Sequence, residues 1–138
     1  MALTRRDVLR LGGAAAAAML PCGAQAASNR VEEAIAQFSG GATPRDGGVV
    51  LEVPEIADNG GAVPVRVAAE GARRIALFAD GNPSPGVVVF AFGSLATPAA
   101  STRIRLAGSQ NVIAVAELAD GTFRKTTRAI VVTAGGCG

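Results

Sequence analysis

STRIRLAGSQNVIAVAELADGTF, residues 101–123, sets two apolar runs in front of a turn signal. In the first, Arg103 and Arg105 alternate with Ile104 and Leu106, a period of two that gives a strand one wet and one buried face. The second, residues 111–118, is a further short Val/Ile-rich run and is expected to form a strand. Asp120-Gly121 then predicts a hairpin with a type I′ turn, whose two central residues both need positive φ. Asn59-Gly60 is a second, weaker signal of the same kind.

The same grammar extends in both directions. Short Val/Ile/Leu-rich runs recur between Gly, Pro, Asn and Asp at intervals of about 8 to 12 residues, the spacing of a sandwich. Strands are expected near 48–53, 63–69, 73–79, 86–92, 101–107, 111–118 and 122–133. Val63, Val65 and Val67 alternate with Pro64 and Arg66, and because proline donates nothing to a ladder this strand is expected at an edge. Val87 to Phe92 is apolar on both faces, so it is expected to be covered twice, by the opposing sheet and by a helix or partner subunit. Ahead of the strands, Asn29 and Glu32 have capping-box spacing while Val31, Ile35 and Phe38 recur on one helical face, predicting a short helix near 30–38 that ends at Gly40-Gly41. The fold expected is all-β: an immunoglobulin-like antiparallel β-sandwich of about seven strands with a short N-terminal helix.

The first 26 residues read as an address rather than as part of that body. Arg5-Arg6 precedes an uncharged run from Leu11 to Leu20, too short to span a bilayer, and Ala24-Gln25-Ala26 is an A-x-A cleavage signal. Thr4 before the arginine pair, Leu9 after it and the weakly hydrophobic alanine core point to a twin-arginine signal, and hence to the periplasm. The division expected is a signal over 1–26, a sandwich over 27–132 and a carrier arm over 133–138. Cleavage removes Arg5, Arg6 and Arg10 against Asp7, which takes the formal charge from +2 to zero. A neutral body with no Trp and no Tyr has neither a basic stripe nor a stacking platform for nucleic acid, and nothing in it suggests an anionic membrane surface.

The chain has no histidine, which removes imidazole as base, haem ligand or zinc ligand. Acidic pairs such as Glu52 with Glu55, or Asp58 with Glu70, fall on strand ends and turns where carboxylates are ordinarily solvated. Gly47-Gly48 and Gly60-Gly61 do not precede helices, so a phosphate cradle is not expected. No catalytic residue and no metal ligand set is therefore assigned. Of the two cysteines, Cys22 leaves with the signal, and Cys137 remains with Gly135 and Gly136 before it and Gly138 after it. A lone thiol in an exported protein makes no internal disulfide; it is an intermolecular link or a reactive group. The glycines predict a flexible arm, holding the sulfur roughly 15 to 18 Å beyond Val132, able to enter a narrow channel of another protein. With no cation beside it and a terminal carboxylate one residue on, the free thiol is expected to be sluggish until a receiving enzyme activates it. The competing reading is an exported structural sandwich linked to another chain by a disulfide through Cys137.

Several segments together resemble the SoxY family. They are Gly135-Gly136-Cys137-Gly138, Pro54-Glu55-Ile56-Ala57-Asp58-Asn59-Gly60 with Val63-Pro64-Val65, Phe78-Ala79-Asp80-Gly81-Asn82-Pro83, Ser101-Thr102-Arg103-Ile104-Arg105-Leu106 and Gln110 to Glu117, besides the twin-arginine leader. The family usually ends Gly-Gly-Cys-Gly-Gly, whereas one glycine follows the cysteine here, which leaves the reach of the sulfur unchanged. The resemblance implies a non-catalytic carrier of sulfur intermediates in periplasmic thiosulfate oxidation. It implies no tightly bound cofactor, and a covalent adduct on Cys137 as S-thiosulfonate or persulfide. It also implies partners: a SoxZ-like small β-sandwich subunit in a heterodimer or heterotetramer, a haem cytochrome, a sulfate-releasing hydrolase and a sulfur dehydrogenase.

Overall fold

The computed structural model describes residues 22–133. Among them are one helix, α1 (Cys22–Ser39), and nine strands: β1 (Arg45–Asp46), β2 (Val50–Glu52), β3 (Ile56–Ala57), β4 (Val63–Ala68), β5 (Ala72–Ala79), β6 (Gly86–Ala91), β7 (Ala99–Ile104), β8 (Gln110–Leu118) and β9 (Phe123–Val132). Seven of these correspond to the strands expected from periodicity. The other two, β1 and β3, are two residues each and run parallel to β9, one near each end of it. Such pairs join segments far apart in sequence and have too few residues to show a period.

The strands form two sheets. The larger has the order β1-β9-β8-β5-β6, with β3 also on β9, and the smaller has the order β2-β4-β7. Between them lies an aliphatic core that includes Val63, Val65 and Val67 from β4, Ile75 and Leu77 from β5, Val112 and Ala114 from β8, and Leu51, Ile104, Leu106 and Ile130. The alternation in β4 reads directly onto this arrangement, since its three valines are buried and Pro64 and Arg66 face outward. Its position is nevertheless central, not at an edge. Pro64 is tolerated there because β2 reaches only from Arg66 to Ala68, so beside Pro64 the strand has a neighbour on the β7 side alone.

The strands covered on both faces are β5 and β8 rather than β6. Their second face carries Ala76, Phe78, Ile113 and Val115, packed under Val31, Ala34, Ile35 and Phe38 of α1. Phe38 meets Phe78 and Phe123 edge-on at centroid distances of 6.2 and 6.0 Å, and the Arg74 guanidinium lies 4.6 Å from its centroid. A helix about 10 Å across spans roughly two strands spaced at about 4.8 Å, and it sits over the middle of the sheet. The apolar run of β6 falls at the far edge, where Phe90 reaches the inter-sheet core while Val89 on the other face is 53% exposed.

The helix begins at Cys22 rather than near residue 30, so Asn29 is interior and the expected capping box does not mark its start. Alanines at 24, 26 and 27 are strong helix formers and let it extend toward the N-terminus. Its end follows the sequence signal: Gly40 adopts φ 64°, the Gly41 N–H donates to the Ala36 carbonyl at 2.9 Å, and the buried Ser39 hydroxyl donates to the Ala42 carbonyl at 2.7 Å.

The Asp120-Gly121 hairpin forms with a different turn from the one expected. Only Gly121 has positive φ (84°), and its N–H donates to the Leu118 carbonyl at 3.0 Å, as in a type I turn followed by a glycine bulge. The Asp120 carboxylate favours this form because it accepts from the Thr122 hydroxyl at 2.6 Å and the Thr122 N–H at 2.9 Å. Those bonds, the hydroxyl foremost, hold the Asp120 carboxyl below its ordinary value. A carboxyl depressed on folding contributes stability above its unfolded pKa and loses that contribution as pH falls through the folded one. The hairpin is therefore expected to loosen under acid, below the usual aspartate range. An NMR titration should show the Thr122 amide moving with Asp120, and Asp120→Asn should abolish that inflection. Asn59-Gly60 joins no hairpin: Asn59 forms a local turn, accepting from the Gly61 N–H at 2.9 Å, while β3 pairs with β9 instead of β4.

Candidate functional site

Cys137, Gly135, Gly136 and Gly138 lie outside the described residues, so the site is built from the place where the chain leaves the sandwich. That place is the end of β9. The Val131 N–H donates to the Glu55 carbonyl at 2.9 Å and the Thr133 N–H to the Ala57 carbonyl at 3.0 Å, which ties the root to β3 on one side. On the other side, the Val132 N–H donates to the Ser109 hydroxyl at 2.9 Å. The root is thus held on both edges up to Thr133, and Cys137 follows four residues later. Their Cα atoms can be no more than about 14 Å apart.

Three loops surround this end, and a polar network joins two of them to the strands. Asp80, just past β5, accepts from both the backbone and side-chain N–H groups of Asn111 at 2.9 Å. Gln110 Oε1 accepts from the Gly81 N–H at 2.8 Å, and its amide donates to Asn82 Oδ1 at 3.0 Å. Asn82 Oδ1 also accepts from the Ala107 N–H at 2.9 Å, while its amide donates to the Arg105 carbonyl at 2.8 Å. The third loop joins in through the Leu106 N–H, which donates to the Gly60 carbonyl at 2.7 Å. Each bond crosses between segments distant in sequence, so the network fixes the geometry of the end from which the arm departs.

Gly81 is required by closeness: a Cβ there would stand 3.0 Å from Gln110 Cβ. Gly81→Ala is expected to push Gln110 aside and cost about 1 to 2 kcal/mol, measurable as a lower urea midpoint with unchanged slope.

The remaining residues weighed from the sequence are distributed over the body. Arg103 faces outward on β7 opposite Pro64, and Arg105 lies just beyond the end of that strand in the network loop. Glu52 is ion-paired with Arg66 at 3.2 Å, and the Asp58 carboxylate accepts from the Thr133 hydroxyl at 3.5 Å. Among the described residues no three His, Cys, Asp or Glu side chains come together as a metal-binding group. No described helix is long and apolar enough to cross a membrane. The root contacts of Ser109, Ala57 and Thr133 were not foreseeable from the sequence, because parallel pairing of β3 with β9 leaves no local signal.

Fold and site together define a two-sheet, immunoglobulin-like sandwich whose last strand delivers a cysteine-bearing tail from a hydrogen-bonded rim. The family model for the sulfur oxidation protein SoxY matches residues 35–137, a span that includes both the rim and Cys137. The chain belongs to the SoxY family. Among solved structures it is similar to the sulfur carrier protein SoxY from Chlorobium limicola f thiosulfatophilum, with 31% identity, a TM-score of 0.71, and coverage of 79% of this chain and 97% of that one. More distant likenesses show the fold alone. The superoxide reductase (neelaredoxin) from Ignicoccus hospitalis has 20% identity and a TM-score of 0.55 over 62% of this chain and 80% of its own. The superoxide reductase from Nanoarchaeum equitans has 11% identity and a TM-score of 0.54 over 64% and 100%. Among curated proteins none matches the chain.

Proposed function

We propose that this protein is a covalent sulfur carrier in thiosulfate oxidation, with Cys137 as the attachment point and the chemistry supplied by partner enzymes. The observation that carries the reading is the extent of the family match, which runs from the helix through the rim to Cys137 itself. The likeness to a sulfur carrier protein over 97% of that protein's length supports it.

In this reading the Cys137 thiol and thiosulfate are joined oxidatively: one S–S bond forms, one proton leaves, and two electrons pass to a haem cytochrome. The product is a cysteine S-thiosulfonate. Water then attacks the terminal sulfone sulfur in a hydrolase, sulfate and a proton depart, and a persulfide remains on Cys137. A sulfur dehydrogenase can oxidise that persulfide further. The carrier contributes no bond-breaking group; it supplies a thiol on a short tether and a rigid rim. Export by the twin-arginine route to the periplasm and pairing with a SoxZ-like sandwich subunit belong to the same proposal. A transporter of folded complexes could move a partner lacking its own signal.

Intact-mass spectrometry of protein from thiosulfate-grown cells tests it. Thiosulfonate or sulfane adducts should map to the C-terminal peptide. A mass matching the bare thiol throughout, or an obligate disulfide dimer on non-reducing gels, would count against the carrier.

A further inference from the structure

The A-x-A cleavage signal lies inside α1. The helix runs from Cys22 to Ser39, so the bond after Ala26 falls in its second turn. Peptide groups there are engaged in the helical hydrogen-bond ladder, and a protease acts on the opened population of such a segment. Cleavage therefore requires local unwinding.

The helix divides at Val31. Val31, Ala34, Ile35 and Phe38 pack on the second face of β5 and β8, whereas Ala26, Ser28, Asn29 and Arg30 are all exposed. The leading half is held mainly by its own backbone bonds, and a free helical stretch of that length is marginal in water. Its first turn carries no acidic residue to answer the positive end of the helix dipole. Asn29 is out of place in such an interior: asparagine is a weak helix former, and this side chain makes no hydrogen bond among the described residues. Three residues on stands Glu32, also exposed, at the spacing of a capping box.

We infer that the part of α1 ahead of Val31 is provisional: it unwinds to present the Ala26–Ala27 bond to a signal peptidase, and after cleavage Asn29 becomes the N-cap of the mature helix. The inference rests on the export reading and adds to it what processing does to the fold. Water adds across the bond, leaving a carboxylate on Ala26 and an ammonium on Ala27. A positive charge is unfavourable at a helix N-terminus, so the helix retreats from the new end. Asn29 Oδ1 then accepts from the N–H of Val31 or Glu32, and the Glu32 carboxylate accepts from the Asn29 N–H. Because the first packed residue lies five positions past the cut, the docked half stays in place, and a body already folded is trimmed without losing its helix.

The test compares the full precursor with the chain beginning at Ala27, each as parent, Asn29→Ala and Asn29→Asp. In the shorter chain Asn29→Ala should lower the folded-to-unfolded ratio about fivefold in urea and speed exchange of the Glu32 amide, while Asn29→Asp keeps both. In the precursor Asn29→Ala should leave the ratio unchanged or raise it, because alanine is the better residue inside a helix. The Asn29 Cα chemical shift should be helical in the precursor and extended in the shorter chain. The same response to Asn29→Ala in both chains overturns the inference, as does a helical Asn29 in the shorter one. Ser28→Gly/Arg30→Gly should also raise the rate at which a signal peptidase cuts the folded precursor about fivefold, and leave a peptide of residues 11–33 unaffected. Equal rates for the two precursors would refute the unwinding step. Cleavage at a different bond would instead defeat the export reading, leaving the comparison of the two chains to stand or fall by itself.

Discussion

Cys137→Ser should remove every sulfur adduct from the protein and reduce thiosulfate-dependent oxidation to background, with thermal unfolding unchanged. A serine hydroxyl is nearly isosteric with the thiol but forms no stable bond to sulfane sulfur and has no accessible anion at neutral pH. The described residues end at Thr133, where the Thr133 N–H donates to the Ala57 carbonyl and, one residue earlier, the Val132 N–H donates to the Ser109 hydroxyl; none of the contacts described within residues 22–133 involves position 137. The effect is therefore expected to be complete in one assay and absent in the other. Intact mass and calorimetry on the same preparation check both halves. Retention of adducts in the variant would place the attachment elsewhere and end the carrier proposal.

Leu77→Ala should produce the largest loss of stability. Leu77 is fully buried on β5, between β6 and β8, and faces the inter-sheet core. Truncation removes transfer free energy and leaves a cavity in a region bounded by sheets on both sides, which collapse poorly around it; the expected cost is about 3 kcal/mol. That is a large fraction of the roughly 5 to 15 kcal/mol typical of a whole domain. Chemical denaturation should show a lower midpoint with little change in slope. Adduct formation on Cys137 in the surviving folded fraction should be unaffected, because the arm root is tied down by backbone bonds some distance along the sheet.

These two substitutions separate what holds the body from what the tail does, and the sequence speaks unequally about them. The alternation in β4, the buried Ile104 and Leu106 between exposed arginines and the glycines after α1 each report a local backbone state or a buried face; these faces are found as read, although β7 ends at Ile104 and Leu106 lies just past it. The turn at Asp120 was placed correctly but typed wrongly, since the hydrogen bonds from Thr122 favour a single positive-φ residue over two. For β6 the apolar composition was legible and its covering was not. Whether a run such as Val87 to Phe92 is central or peripheral depends on strand order, which side-chain periodicity does not encode.

The candidate site divides the same way. The thiol set among glycines is a property of covalent structure, present before any folding, so Cys137 and the reach of its arm follow from the order of residues. The rim does not: it exists because β9 is flanked by β3 and by Ser109, and because Asp80, Asn82 and Gln110 converge from separate loops. The exposed pair Ile56 and Val131 is likewise invisible in the chain, being 75 positions apart and brought side by side by a parallel pairing two residues long. Sequence alone determined the chemistry this protein presents and the strands that carry it. Tertiary structure decided which surface stands beside that chemistry, because long-range strand pairing is selected by the packing of the whole core and leaves no mark in any one segment.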